Sequence, residues 1–137
     1  MRILGIDYGD ARVGIAVSDL LGFMAQGVRT IKNRGTEKLL TELKEILDEY
    51  KPEKIVIGLP KNMDGTEGAR AELCRAFADE LKERCGLPVA MWDERRTTVE
   101  AHNILSAHNY HGQKRKNTVD AVAASLILEG YLAYRKR

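Results

Sequence analysis

The sequence predicts an α/β fold, a mixed five-stranded sheet with helices on both faces. Apolar, Val- and Ile-rich runs follow one another closely at the start of the chain, and helical patterns alternate with strand patterns from residue 36 onward. Leading strands followed by strand–helix alternation are typical of such a sheet. We find no repeat or linker, and a length of 137 residues suits a single domain, 1–137.

The first three predicted strands form an antiparallel meander. Residues 2–8 (RILGIDY) and 12–19 (RVGIAVSD) are joined by GDA, which indicates a hairpin, and residues 27–33 (GVRTIKN) supply the third strand. Apolar residues at intervals of three and four then predict an amphipathic helix over residues 36–50, and Pro52 prevents its continuation.

The middle of the chain alternates strands and helices. Residues 54–60 (KIVIGLP) are continuously apolar, which is typical of a parallel strand covered on both faces. A second helix ends near Cys85, and residues 86–94 return to a strand. The apolar face of this second helix is predicted to comprise Ala69, Leu73, Phe77 and Leu81.

Two further helices complete the predicted order, β-β-β-α-β-α-β-α-α. Residues 97–107 form the third helix, which a Thr–Glu capping box opens. The polar residues 108–117 (HNYHGQKRKN) indicate a loop. After it, Asn117 or Thr118 caps a last helix that is rich in Ala and Leu.

Composition excludes several classes of protein. No run reaches the roughly 18 apolar residues of a membrane span, and the chain enters a strand pattern by Ile3 without a signal-peptide pattern, so we expect a cytoplasmic protein. Cys74 and Cys85 share one predicted helix about 16 Å apart, too far for a disulfide. The formal net charge of +2 does not indicate a nucleic-acid partner, but residues 114–116 (KRK) form a concentrated basic run.

Three acidic residues occupy positions that predict a shared site. Asp7 lies inside an apolar strand pattern, where a buried and unpaired carboxylate is costly. Glu94 ends the last predicted strand, and Asp120 lies in the first predicted turn of the last helix. Functional groups of α/β sheets gather at the carboxyl ends of parallel strands, so we expect the three carboxylates to meet there.

Carboxylates that meet repel one another unless a cation lies between them, and Mg²⁺ prefers oxygen ligands. Such a site supports phosphodiester cleavage by water. Each acid also has a simpler interpretation. Asp7 could accept backbone hydrogen bonds at the turn, Glu94 could be an exposed loop acid, and Asp120 could interact with the positive end of its helix for about 0.5 kcal/mol.

Basic and glycine-rich segments near these acids could bind phosphates. The loop GLPKNMDGTEG follows a buried strand and opens a helix, so its amide groups could approach an anionic backbone. An ordinary strand-to-helix turn would look the same, and no Walker G-K-[ST] is present. Two arginines follow Glu94 directly, and the basic run precedes Asp120 by a few residues. The candidate substrate contacts are Arg12, Lys61, Asn62, Arg95, Arg96, Lys114, Arg115 and Lys116.

Four segments carry a resemblance to a known family: GIDYGDARVGIAVSD, VIGLPKNMDGTEG, WDERRTT and KRKNTVDAVAASLILEGYL. They resemble the YqgF family, a RuvX-like family of pre-16S rRNA nucleases, over essentially the whole chain. The resemblance implies a ribonuclease-H-like fold, phosphodiester hydrolysis with Mg²⁺ or Mn²⁺, and 5′-end maturation of 16S rRNA in ribosome biogenesis. It also implies that Asp7, Glu94 and Asp120 are the catalytic residues and the metal ligands.

Other functions stay open at this point. The family resembles Holliday-junction resolvases, so branched DNA is the nearest alternative to pre-rRNA as the nucleic-acid partner. A non-catalytic nucleic-acid-binding module is a second alternative, although it would gain nothing from acids that face phosphates. A nucleotide-binding domain of the sugar-kinase and actin type begins with a similar hairpin but needs two such domains to enclose ATP. We expect a monomer or a homodimer and no membrane partner.

Overall fold

The computed structural model describes residues 2–22, 24–94 and 112–135, the last range with side chains from Asp120 onward. This part of the chain forms five strands and three helices. They are β1 (Ile3–Tyr8), β2 (Arg12–Ser18), β3 (Ala25–Lys32), α1 (Thr36–Tyr50), β4 (Lys54–Leu59), α2 (Ala69–Cys85), β5 (Val89–Asp93) and α3 (Gly112–Arg135). None of the described helices combines the length and the apolarity that crossing a bilayer requires.

The five strands form one mixed sheet in the order β3-β2-β1-β4-β5. β1, β2 and β3 pair antiparallel, which confirms the predicted meander. β4 pairs parallel to β1, and β5 pairs parallel to β4, because helical crossovers return the chain to the same end of the sheet. The carboxyl ends of β1, β4 and β5 therefore lie at one edge, as the sequence predicts.

Helices cover both faces of the sheet. On one face, α1 and α2 bury Leu and Ile side chains of the strands, and Phe77 of α2 belongs to this larger cluster. On the other face, α3 packs its buried residues against Ile3, Ala16 and Val56. Because side chains alternate along a strand, every second residue of β1, β2 and β4 points toward α3.

Small residues let α3 approach this second face closely. A Cβ added to Gly5 would meet Cβ of Leu128 at 2.9 Å, and one added to Gly27 would meet the carbonyl oxygen of Ala121 at 3.1 Å. At Gly14 the helix backbone comes closer still, and an added Cβ would meet the carbonyl oxygen of Asp120 at 1.9 Å. Glycines of three neighbouring strands thus form the surface on which α3 lies.

The last helix begins earlier than the sequence predicts. α3 starts at Gly112, so Lys114, Arg115 and Lys116 lie in its first turns and not in a loop. Lys, Arg and Gln are good helix formers, and their polarity alone made the segment look like a loop. Asp120 consequently lies in the third turn, which removes the interpretation that it only interacts with the positive end of its helix.

The buried face of α2 also differs from the prediction. It comprises Ala71, Cys74, Phe77, Ala78 and Leu81. Leu73 is 49% exposed, and Ala69 is exposed as well. Residues four apart advance by about 40° around a helix, so the predicted series at steps of four drifts away from the core at its start.

Other predictions of secondary structure are confirmed or fall outside the described residues. α1 has the predicted bounds, and both cysteines are free thiols. Burial first, and then the charge of Glu94, raises the pKa of the Cys74 thiol to about 11, which suits a structural residue. The predicted helix 97–107 lies outside the residues that the structure describes.

Candidate active site

Asp7 and Glu94 meet on the α3 face of the sheet. Asp7 points the same way as Ile3 and Gly5, which contact α3, because these residues are two apart along β1. Glu94 follows β5 and lies over Gly58 of β4, where an added Cβ would meet Glu94 Cγ at 2.7 Å. The two side chains are hydrogen-bonded to each other. The central strand β1 and the edge strand β5 thereby bring the two carboxyl groups into contact.

Burial and mutual charge hold a proton on this pair. Burial first, and then the hydrogen bond and the negative charge of Asp7, raise the pKa of Glu94 to about 8. Burial also raises the pKa of Asp7, while the hydrogen bond to Glu94 lowers it. The two carboxyl groups disfavour each other's ionisation, so the pair shares one proton in the hydrogen bond that joins them. At neutral pH the pair therefore carries one negative charge.

Asp120 comes close to this pair because α3 lies directly on β2. Gly14, which pairs with Asp7 across the two strands, is the residue that Asp120 contacts through its carbonyl oxygen. The charge of Asp120 raises the pKa of Asp7, after the larger effects of burial and of Glu94. The structure thus brings the three predicted acids into one electrostatic environment, although they come from the first strand, the end of the last strand and the last described helix.

Arg12 forms an ion pair with the carboxylate of Asp120. Its Nε donates to Asp120 Oδ2 at 2.7 Å, and the two side chains are 30% and 19% exposed. Arg12 opens β2 two residues before Gly14, so it points to the same face. The candidate substrate contact Arg12 therefore lies at the acids and holds one of them.

Arg70 also lies at the site, and it is absent from the candidate residues predicted from the sequence. Its Nη2 donates to the carbonyl oxygen of Tyr8 at 2.6 Å, and its Nη1 lies 2.6 Å from Asp10 Oδ1. Its positive charge lowers the pKa values of both Asp7 and Glu94. One feature of the sequence could have predicted its role: Arg70 lies in the first turn of the helix that follows a buried strand and a glycine-containing loop.

The loop after β4 is a tight, internally bonded turn. The backbone N–H of Asn62 donates to the carbonyl oxygen of Thr66 at 2.8 Å, and its side-chain amide donates to Thr66 Oγ1 at 2.9 Å. Gly65 has φ of 89°, which favours glycine there. Both the backbone and the side-chain donors of Asn62 are engaged within the turn, which supports the simpler interpretation of this loop. Lys61, next to it, is half-buried.

The remaining candidate substrate contacts have no described side chains. Arg95 and Arg96 lie outside the described residues. For Lys114, Arg115 and Lys116 only the helical backbone is described, six to four residues before Asp120. These five residues stay predictions.

The donor set fits a divalent cation such as Mg²⁺ or Mn²⁺. Carboxylate oxygens are the ligands that these hard ions prefer. The Asp7–Glu94 pair retains a proton because two buried negative charges are unfavourable together, and a cation would neutralise them equally well. Within the described residues, no three acidic, histidine or cysteine side chains are yet arranged as a complete metal site. Asp120 is engaged in its ion pair with Arg12.

Comparison with known proteins relates the chain to nucleases. The model of the RuvX family, described as Holliday junction resolvase, matches residues 1–134. A protein of Halothermothrix orenii is 48% identical over 137 residues, 100% of this chain and 98% of that protein. One from a type B strain of Clostridium botulinum is 50% identical over 132 residues, 96% of each chain. Both are provisionally named pre-16S rRNA nuclease.

Solved structures share the fold. RuvC of T. thermophilus in complex with a Holliday junction substrate superposes with a TM-score of 0.64 at 16% identity, covering 99% of this chain and 96% of that one. The fowlpox virus resolvase in complex with Holliday junction DNA gives a TM-score of 0.57 at 11% identity over 100% of both chains. The ribonuclease-H-like fold that the sequence analysis expected is thereby confirmed.

Proposed function

The chain belongs to the RuvX family of Holliday junction resolvases, and on this premise we propose that it is a metal-dependent endonuclease that processes the 5′ end of pre-16S rRNA in the cytoplasm. The observation that carries the proposal is the buried Asp7–Glu94 pair with Asp120 beside it. The provisional names of relatives about half identical to the chain support rRNA as the substrate. The match over residues 1–134 supports treating 1–137 as one nuclease domain.

We assign Asp7, Glu94 and Asp120 to the binding of the divalent cation. When bound, such a cation supplies Lewis-acid stabilisation of the charge that develops on the phosphate, and it makes water a better nucleophile. The Asp7–Glu94 pair must release its shared proton for the three acids to act together as ligands. The reaction adds water to phosphorus and breaks one phosphorus–oxygen bond of the backbone.

Basic residues of the chain would hold the phosphate backbone against the acids. Arg12 lies at Asp120 already, and its planar guanidinium can exchange a carboxylate for a phosphate of similar geometry. The basic run 114–116 lies a few residues before Asp120 in α3 and extends the positive charge along the helix. Such contacts recognise the backbone and the shape of a nucleic acid without reading its bases.

Branched DNA is the second candidate substrate. The description of the family as Holliday junction resolvase favours it. A non-catalytic binding module is disfavoured, because a proton-sharing pair of buried acids opposes phosphate binding and is costly to keep without a catalytic role.

Cleavage assays with Asp7→Asn test the proposal. The parent should cut a labelled pre-16S rRNA 5′ end in Mg²⁺ faster than it cuts a four-way DNA junction. Asp7→Asn should abolish both activities, and Asp79→Asn, at an exposed position on α2, should keep them. A variant at Asp7 that cuts like the parent would refute the catalytic assignment, and a preference for the junction would refute rRNA as the substrate.

A further inference from the structure

We propose that Arg70 is a substrate-positioning residue that exchanges Asp10 for a phosphate oxygen of the nucleic acid bound at Asp7 and Glu94. The inference rests on the proposed nuclease function and adds a contact that the sequence analysis did not include. Three features of the described residues support it: the two unequal partners of the guanidinium, its place beside the acid pair, and an independent contact that already anchors the end of β1.

The two partners of Arg70 differ in how easily they could be replaced. The carbonyl oxygen of Tyr8 is part of the sheet and holds Nη2 at 2.6 Å. Asp10, which holds Nη1, lies in the turn between β1 and β2 with a side chain that is 73% exposed. An ion pair at this exposure contributes little to stability. One nitrogen of Arg70 is therefore fixed to the scaffold, and the other has a solvent-accessible and replaceable partner.

Arg70 lies where a phosphate at the acids would need a cation. It approaches the residue directly after Asp7, and its charge acts on Asp7 and on Glu94 alike. Its side chain is 41% exposed, so a ligand can reach it. Guanidinium groups form strong charge-assisted hydrogen bonds with phosphate oxygens. In Arg70, the hydrogen bond from Nη2 to the backbone of Tyr8 already orients the group.

A purely structural role for Arg70 is unnecessary. The ring of Tyr8 stacks on Phe77 of α2 with 4.4 Å between centroids and an interplanar angle of 20°. This contact already joins the end of β1 to α2. Loss of the ion pair between Arg70 and Asp10 would therefore leave the end of β1 in contact with α2.

If Arg70 exchanges Asp10 for a phosphate, substitutions of the two partners of this ion pair should change RNA affinity in opposite directions. Arg70→Gln removes the phosphate contact, so it should weaken binding of a fluorescein-labelled stem–loop RNA in EDTA about tenfold and lower the salt slope of its affinity by about 1. Asp10→Asn removes the competitor of the phosphate, so it should tighten binding about threefold. Arg70→Lys, which keeps the charge without the fork, should restore part of the affinity.

A second ion pair of α2 provides the matched control. Arg84 and Glu37 join α2 to α1 through an exposed bidentate pair, and Arg84 lies at the opposite end of α2 from Arg70. Arg84→Gln and Glu37→Gln should leave RNA affinity unchanged. Thermal unfolding of every variant establishes whether it is folded. If Arg70→Gln does not fold, the comparison of Arg70→Lys with the parent replaces it.

Two outcomes overturn the inference. Shifts of RNA affinity in the same direction for Arg70→Gln and Asp10→Asn would mean a structural ion pair, and an unchanged salt slope in Arg70→Gln would remove the residue from the phosphate path. The cleavage assay of the parent distinguishes failure of the Arg70 inference from failure of the proposed nuclease function. A parent that cuts RNA but shows either outcome refutes the inference alone, whereas a parent that cuts neither RNA nor junction DNA refutes the nuclease proposal.

Discussion

The carbonyl oxygen of Asp120 lies so close to Gly14 that a Cβ at position 14 would meet it at 1.9 Å. The contact joins the backbone of α3 to the strand that pairs with Asp7, so neither partner can move aside as a side-chain tip could. It fixes the depth at which α3 lies on the sheet, and with it the position of the third acid.

Gly14→Ala should therefore disrupt both the fold and the site. Overpacking against backbone on both sides should lower the free energy of unfolding by about 3 kcal/mol or more. Urea denaturation measures the loss. Gly68→Ala is the matched control, since an added Cβ there meets nothing within 4 Å, and it should cost about 1 kcal/mol or less at its helix cap. A Gly14→Ala protein as stable as this control would contradict the close packing of α3.

Gly58→Ala should affect activity more than stability. Its Cβ would meet Ile127 Cδ1 at 2.6 Å and Glu94 Cγ at 2.7 Å, and both are parts of side chains that can shift. The free energy of unfolding should fall by only about 1–2 kcal/mol, but Glu94 must move relative to Asp7. We expect kcat for RNA cleavage to fall at least about tenfold, a barrier increase of about 1.4 kcal/mol. Unchanged kcat in a folded variant would show that Glu94 does not need its position over Gly58.

Arg12→Gln should strengthen cation binding to the protein alone. Arg12 neutralises Asp120 at 2.7 Å, so a divalent cation has to displace it. Removing one nearby positive charge should tighten Mg²⁺ binding about threefold to tenfold at the partial exposure of this pair. Isothermal titration without nucleic acid measures the change, with Arg29→Gln on β3 as the control. Weaker Mg²⁺ binding in Arg12→Gln would indicate that Arg12 supports the ligand set and does not compete with the cation.

Stability without metal should decrease as the pH rises from 4.5 to about 8. Glu94 has an ordinary pKa of 4.5 and a folded pKa of about 8, so across this window the folded protein holds a proton that the unfolded chain has lost. Protons thus favour folding, and the stabilisation is lost as the pH passes the folded pKa. Glu37 and Glu67, whose pKa values are lowered by Arg84 and Arg75, change stability only below this window.

Urea denaturation in EDTA at several pH values measures this effect. Glu94→Gln carries no titrating proton and should lose the decline, and saturating Mg²⁺ should reduce it in the parent because the cation replaces the proton. A parent whose pH profile matches that of Glu94→Gln would contradict the shared proton.

The periodicity of the sequence was sufficient to predict the sheet and α1. It also identified Asp7, since an acid inside an otherwise apolar strand is conspicuous. The start of α3 was missed because polarity and helix propensity disagree over residues 112–117, and the prediction followed polarity. Arg70 was missed because one of its partners is a backbone carbonyl, and a backbone partner leaves no pattern in the sequence.

The glycines illustrate a different limit. Strand alternation places Gly5 on the same face as Asp7, but it does not reveal which helix covers that face or how closely. Gly14 acquires its importance only when the helix carrying Asp120 is placed over β2. Packing against a distant segment of the chain, and not local conformational preference, requires glycine at these positions.

The placement of one acid in the first strand and another in the last helix bears on how the protein is made. α3 supplies Ala124, Ile127, Leu128 and Leu132 to the core as well as Asp120 to the acids. A nascent chain whose final helix is still within the ribosomal exit tunnel lacks both. The core on this face of the sheet, and the approach of Asp120 to Asp7, therefore form only after α3 has left the tunnel.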